Sequence, residues 1–196
     1  LTALRSLYAA ALAEQERLAL KVFPEQLAAE FLEQIGKVED FLNGGTDWTQ
    51  EQIDAVYDEL LAAWEALKAY PVNGMYTDVP AGTWYYDAVD FVTRYGIMNG
   101  MGGGKFGTEE TCTRAQVVTF LWRAAGSPEP ESTDNPFVDV PAGQWYTNAV
   151  LWAFENGITT GADATHFNPG GTLVRQNMVT FLMRFAKTMG IDTSNR

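Results

Sequence analysis

Two arginines, Arg114 and Arg175, stand 61 residues apart, and each follows a tryptophan, Trp84 or Trp145, by thirty positions. That pairing is the best candidate for chemistry in the chain. A guanidinium can grip a carboxylate through two parallel hydrogen bonds. An indole offers an apolar face for stacking and an N–H donor at its edge. Arg114 also stands at the first position of a predicted helix, where unpaired backbone N–H groups and the helix dipole favour an anion. A structural reading competes with this one. Either arginine can pair with Asp78 or Asp139, the tryptophans can be partly buried core anchors, and the aspartates can simply brace the turn before Val-Pro.

The elements that must position these residues come as a duplication. Residues 78–89 read DVPAGTWYYDAV and residues 139–150 read DVPAGQWYTNAV; laying 76–126 on 137–187 without a gap gives 21 identities in 51 positions. A constant offset of that length marks a repeated structural unit. In the first copy Trp84, Tyr85, Ala88, Val89 and Val92 share one helical face, Gly96 closes that helix, and a glycine-rich loop runs from Gly100 to Gly107. A second helix then starts at Thr113, with Gln116 completing a capping box. The second copy runs from Trp145 to Asn156, through the loop Gly161 to Gly171, into a helix from about Arg175 to Met189. Between the copies, residues 127–136 hold three prolines in ten positions, which forbids regular helix.

The first third is different. Apolar residues recur at helical spacing over 1–22, 24–42 and 53–67, with Pro24 expected at a first helical position. Asn43-Gly44-Gly45 stops the second helix, Thr49 and Gln52 form a capping box, and Trp48 and Ile53 are placed as a hydrophobic staple. Trp48 and Trp64 are read as core and staple residues. The expectation is a mainly all-α chain: a three-helix bundle over 1–70, helix–loop–helix repeats over 76–126 and 137–190, a proline-rich linker over 127–136, and any strand limited to short loop pairings.

Composition removes several function classes. The net charge is −12, and residues 1–70 alone hold 5 Lys+Arg against 13 Asp+Glu. That balance disfavours nucleic acid and anionic membrane as partners. Cys112 is the only cysteine and His166 the only histidine, so no disulfide framework or Cys/His metal site can form within one chain. No apolar run approaches a membrane span. No nucleophile elbow or P-loop is present, and Glu109-Glu110 adjoin as solvated turn residues rather than as a glycosidase pair. No enzymatic activity and no cofactor are expected. Because it opens on Leu1, the chain looks like a fragment or a processed chain.

The order Tyr76-Thr77-Asp78-Val79-Pro80, Trp84-Tyr85, Ala88-Val89, Gly96-Ile97, Gly100, Phe106, Thr113-Arg114-Ala115-Gln116 and Phe120-Leu121-Trp122-Arg123 resembles an S-layer homology repeat. The second copy repeats it with Phe137-Val138-Asp139-Val140-Pro141, Trp145-Tyr146, Gly157-Ile158, Gly161, Phe167-Asn168-Pro169, Arg175 and Arg184. The resemblance implies non-covalent anchoring of an extracellular protein to a bacterial cell wall, by binding secondary cell-wall polysaccharide that is often pyruvylated. It implies grooves between adjacent repeats, and ligand contacts from Arg114, Trp84, Asp78 and Gly100 in one copy and Arg175, Trp145, Asp139 and Gly161 in the other. Residues 23–67 resemble the FIVAR modules, small three-helix spacers of bacterial surface proteins.

Two departures qualify the pattern. The second helix start reads Val174-Arg175-Gln176-Asn177 and lacks the capping threonine, although Thr172 could cap one turn earlier, so the groove with Arg114 is the stronger expectation. Family members usually carry three repeats and this chain carries two. The rival expectation is therefore a structural assembly module, in which a second copy of the chain fills the open side.

Overall fold

Helix carries nearly all the regular structure, as the periodicities predict. The computed structural model describes residues 1–18, 22–45 and 47–194. Among them are seven α-helices: α1 (Thr2–Arg17), α2 (Glu25–Asn43), α3 (Gln50–Ala69), α4 (Tyr86–Arg94), α5 (Arg114–Ala124), α6 (Thr147–Glu155) and α7 (Arg175–Thr188). Extended pairing among the described residues is confined to two isolated bridges, Gly102 with Lys105 and Thr113 with Thr172. No described helix is long and apolar enough to cross a membrane. The chain divides into two compact units, Leu1–Gly107 and Thr108–Arg196. The division falls inside the first repeat, so repetition in sequence and compaction in space part the chain at different places.

In the first unit α1, α2 and α3 bury one stripe each around Leu4, Ala11, Phe31, Ile35, Val38, Leu60 and Leu67. α3 starts with the predicted capping box: the Gln52 N–H donates to Thr49 Oγ1 at 3.2 Å, and the Thr49 N–H to Gln52 Oε1 at 2.9 Å. α2 stops at Asn43-Gly44-Gly45 as expected, and one local expectation is corrected. Pro24 is the N-cap rather than the first helical residue, because its ψ of 135° is extended and the helix begins at Glu25. Gly44 leaves α2 with helical angles, and the turn out of the helix is made at Gly45, φ +155°. The ring stacked on Trp48 is Phe41, at 4.8 Å. Part of the predicted first helix, 19–21, lies outside the described residues.

α4 is fastened to this bundle by polar side chains. Asp90 Oδ1 accepts the Val72 N–H at 2.9 Å, and Oδ2 accepts from Arg94 Nε and Nη2 at 3.1 and 2.9 Å. Arg94 also donates to the carbonyls of Leu67 and Tyr70, at 3.0 and 2.6 Å. It thus caps the C-terminus of α3, where unpaired carbonyls and the helix dipole favour a cation. Tyr95 donates its hydroxyl to Glu14 Oε1 at 2.7 Å; burial and that carboxylate raise the phenol above its ordinary pKa.

The second unit is built by α5 packing across α6, with Val117, Val118, Leu121, Ala149, Val150, Trp152 and Ala153 in one cluster with Phe137, Ile158, Phe167 and Phe181. The proline-rich segment is pinned to this unit. Glu155 accepts the N–H groups of Glu131 and Ser132 at 3.0 and 2.7 Å, and Trp122 Nε1 donates to the Pro128 carbonyl at 2.8 Å.

Candidate functional site

The start of α5 is locally determined by Thr113 and Gln116, whose side chains and backbones cap one another at 3.3 and 2.8 Å. Two further first-turn donors are met by the loop that follows α6. The Arg114 N–H donates to the Gly171 carbonyl at 2.8 Å and the Ala115 N–H to the Pro169 carbonyl at 3.1 Å. Peptide carbonyls therefore occupy the place where an anion would bind a bare helix start.

The Arg114 side chain enters the same loop. It is only 7 % exposed, and its Nε donates to the Phe167 carbonyl at 2.7 Å. Its guanidinium lies 4.9 Å from the Phe167 ring centre and 5.5 Å from that of Phe181. Burial lowers the pKa of the guanidinium, and the nearby Asp139 carboxylate acts in the opposite direction. Nη2 is buried and has no hydrogen-bond partner. Asp139 holds the other side of the loop: Oδ1 accepts the Phe167 N–H at 2.8 Å and Oδ2 the Asn168 N–H at 2.7 Å. The two charges act on one short segment, the arginine on a carbonyl and the aspartate on two amides.

Asp78 does in the first unit what Asp139 does in the second, accepting the N–H groups of Phe106 and Gly107 at 2.7 and 2.8 Å. Gly100 and Gly161 allow aromatic rings to approach the loops. A Cβ on Gly100 would stand 2.5 Å from Tyr76 Cε1, and one on Gly161 would stand 2.7 Å from Phe137 Cε1. Aspartates and glycines thus shape the loops.

The tryptophans are placed differently from core anchors. Trp84 is 94 % exposed and Trp145 58 % exposed. Each precedes its helix instead of lying on the helix face, since α4 begins at Tyr86 and α6 at Thr147. Each stands edge-on to the tyrosine that follows it, Tyr85 at 5.4 Å and Tyr146 at 5.1 Å. The duplication is therefore of geometry as well as of sequence.

Arg175 occupies the first position of α7, as Arg114 does in α5, but it is exposed. The N-cap is Val174, which gives no side-chain bond, so Thr172 does not start the helix a turn earlier. Among the described residues no hydrogen bond or ion pair holds the Arg175 side chain. In the second unit, then, Arg114 and Asp139 meet at Phe167–Asn168, with Gly161 at the start of that loop, while Trp145 and Arg175 face outward. Trp84, Asp78 and Gly100 belong to the first unit. Phe181 as a platform for Arg114 was not signalled by spacing, since it reads as an ordinary core residue of α7.

Comparison with known proteins places these features. The S-layer homology domain model matches residues 76–118 and 136–176. A cell surface protein of Thermoanaerobacter kivui is 31 % identical over 113 residues, covering 56 % of this chain and 15 % of that protein. The S-layer protein sap of Bacillus anthracis is 28 % identical over 112 residues, 57 % of this chain and 14 % of its own length. The exoglucanase XynX of Acetivibrio thermocellus is 29 % identical over 101 residues, 52 % and 9 %. The matched stretch is thus a small part of each of these relatives. Following its helical first third, the chain thus holds two successive stretches that match the S-layer homology domain.

Proposed function

We propose that the chain anchors an extracellular protein to a bacterial cell wall without a covalent bond, by holding an acidic secondary cell-wall polysaccharide, with the first three helices as a FIVAR-like spacer. The observation that carries this reading is the exposure of Trp84 and Trp145 at equivalent places in two S-layer homology repeats. Large apolar side chains held in water at duplicated positions suit sugar rings that stack on them. In this reading Arg175 grips a ligand carboxylate, such as that of a pyruvate ketal, because its guanidinium is open to a bidentate bond. Arg114 offers only Nη2, and a ligand reaches it only if the Phe167–Gly171 segment shifts. Asp78, Asp139, Gly100 and Gly161 fix the loop walls.

The test is co-sedimentation of the purified chain with cell walls, before and after chemical removal of the secondary polysaccharide. The chain should pellet with intact walls and stay in solution with stripped ones. Arg175→Ala should weaken binding by about 1.5–3 kcal/mol, the range for a hydrogen bond to a charged group, and Trp84→Ala with Trp145→Ala should weaken it further. Equal pelleting with stripped walls would refute the reading. No reducing ends should be released from the wall glycan during the assay.

A further inference from the structure

Equivalent helices of the two repeats differ in what covers them. In α5, Val118 is fully buried and Leu121 is buried, both against α6. Their equivalents in α7, Val179 and Leu182, are exposed, Val179 by 61 %. With Met183, also exposed, they form a stripe at i, i+3, i+4 spacing. The polar end differs in the same way. The first turn of α5 receives carbonyls from the loop after α6, whereas α7 begins at an open Arg175 behind an N-cap, Val174, that gives no side-chain bond. α7 has the acceptor half of a repeat–repeat junction, without the other half on it.

The other half is also present and also open. α4 is the equivalent of α6, whose Ala149 and Trp152 are buried in the cluster that α6 shares with α5, Trp152 also standing edge-on to Phe185 of α7. The matching residues of α4, Ala88 and Phe91, are exposed, Phe91 by 50 %. Asp90 and Arg94 hold the bundle; Phe91 borders the cavity that they share with Glu14, Lys68 and Pro71 and rests on Tyr95 at 4.8 Å, yet it stays half exposed beside the open Ala88. The chain thus holds one completed junction and both halves of a second.

We propose that α7 of one molecule docks on the Ala88–Phe91 face of α4 in a second copy, repeating between molecules the packing of α5 on α6. The contact is head-to-tail, so it either closes into a two-fold ring or propagates. By analogy with Arg114, such a junction draws Arg175 toward the partner's loop, and association then competes with carboxylate binding at that side chain.

Sedimentation velocity over a concentration series, with no glycan present, tests this. The wild-type chain should pass from monomer to dimer or larger species as concentration rises to about 100 µM, a range that detects even weak association. Leu182→Glu and, separately, Val179→Lys should weaken association at least tenfold, and so should Phe91→Glu. An equimolar mixture of Leu182→Glu and Phe91→Glu should regain association, because one intact face of each kind remains. Circular dichroism establishes that each variant is folded. A monomer at every concentration overturns the proposal, as does a mixture that fails to recover. Leu182→Glu should still pellet with cell walls, so failure of the assembly proposal and failure of the anchoring reading are distinguished.

Discussion

Asp139 and Arg114 show how two charged residues can hold one turn without pairing directly. Asp139 supplies two acceptors to the Phe167 and Asn168 amides and Arg114 a donor to the Phe167 carbonyl. Removing the carboxylate leaves two N–H groups unmatched beside a buried ring. Asp139→Ala should therefore destabilise the second unit by about 2–3 kcal/mol, the scale of hydrogen bonds to a charged group, and Asp139→Asn by less, because an amide oxygen still accepts one bond. Urea unfolding checks both. Asp163 carries a pH dependence of its own. The Thr165 N–H, then His166 and the Thr165 hydroxyl, hold its carboxylate at about 2, below the ordinary 3.8. A depressed folded value means that the contribution is complete above the ordinary value and is lost as pH falls through about 2. The Asp163 carboxyl chemical shift should accordingly titrate nearer 2 than 4, and a midpoint near 4 would show that the loop does not hold it.

Element boundaries were legible where the signal was local. Both predicted capping boxes are present, because a threonine and a glutamine three positions apart satisfy each other's backbones without help from the rest of the chain. α7 shows the reverse: its start is fixed at the right residue with no cap at all. Val174→Thr should therefore stabilise the second unit by about 0.5–1 kcal/mol, as N-caps do, read as a rise in thermal midpoint. The fastening of each repeat's first helix was not legible. Arg94 and Glu155 are equivalent positions, and each ties down the segment that precedes its repeat. The arginine takes the carbonyls of Leu67 and Tyr70, and the glutamate takes the amides of Glu131 and Ser132. Opposite charges fill one role because the approaching backbone presents opposite groups. Arg94→Met should cost the first unit about 2–4 kcal/mol, since it strands Asp90 and two carbonyls; Glu155→Gln should cost less, because an amide oxygen still accepts.

At the scale of the whole molecule, repeats and compact units do not coincide. α5 belongs to the first repeat by sequence and buries its apolar face on α6 of the second; α4 belongs to the first repeat and is fastened to the three-helix bundle. A fragment spanning 108–194 should consequently fold, with a cooperative thermal transition by circular dichroism. A fragment spanning 76–126, a complete repeat by sequence, should not, because α4 and α5 each lose the surface that buries them. A cooperative transition in the shorter fragment would overturn this account of the core.

What the sequence determined by itself is the helical class, the duplication with its offset of 61 residues, the two capping boxes and the resemblance that the family match supports. These follow from local chemistry and from identity between copies, both of which a linear reading can register. Burial was decided only by the tertiary structure. Arg114 and Arg175 stand at equivalent positions and the sequence parts them only by their caps, favouring Arg114 for a ligand, yet Arg114 is the one buried beneath the Phe167 loop and Arg175 the one that is open. Trp84 and Trp145 read as partial core anchors, yet both stand in solvent. The physical reason is common to all four. Whether a side chain is covered depends on which distant segment packs over it, and that segment lies dozens of residues away, outside any local pattern.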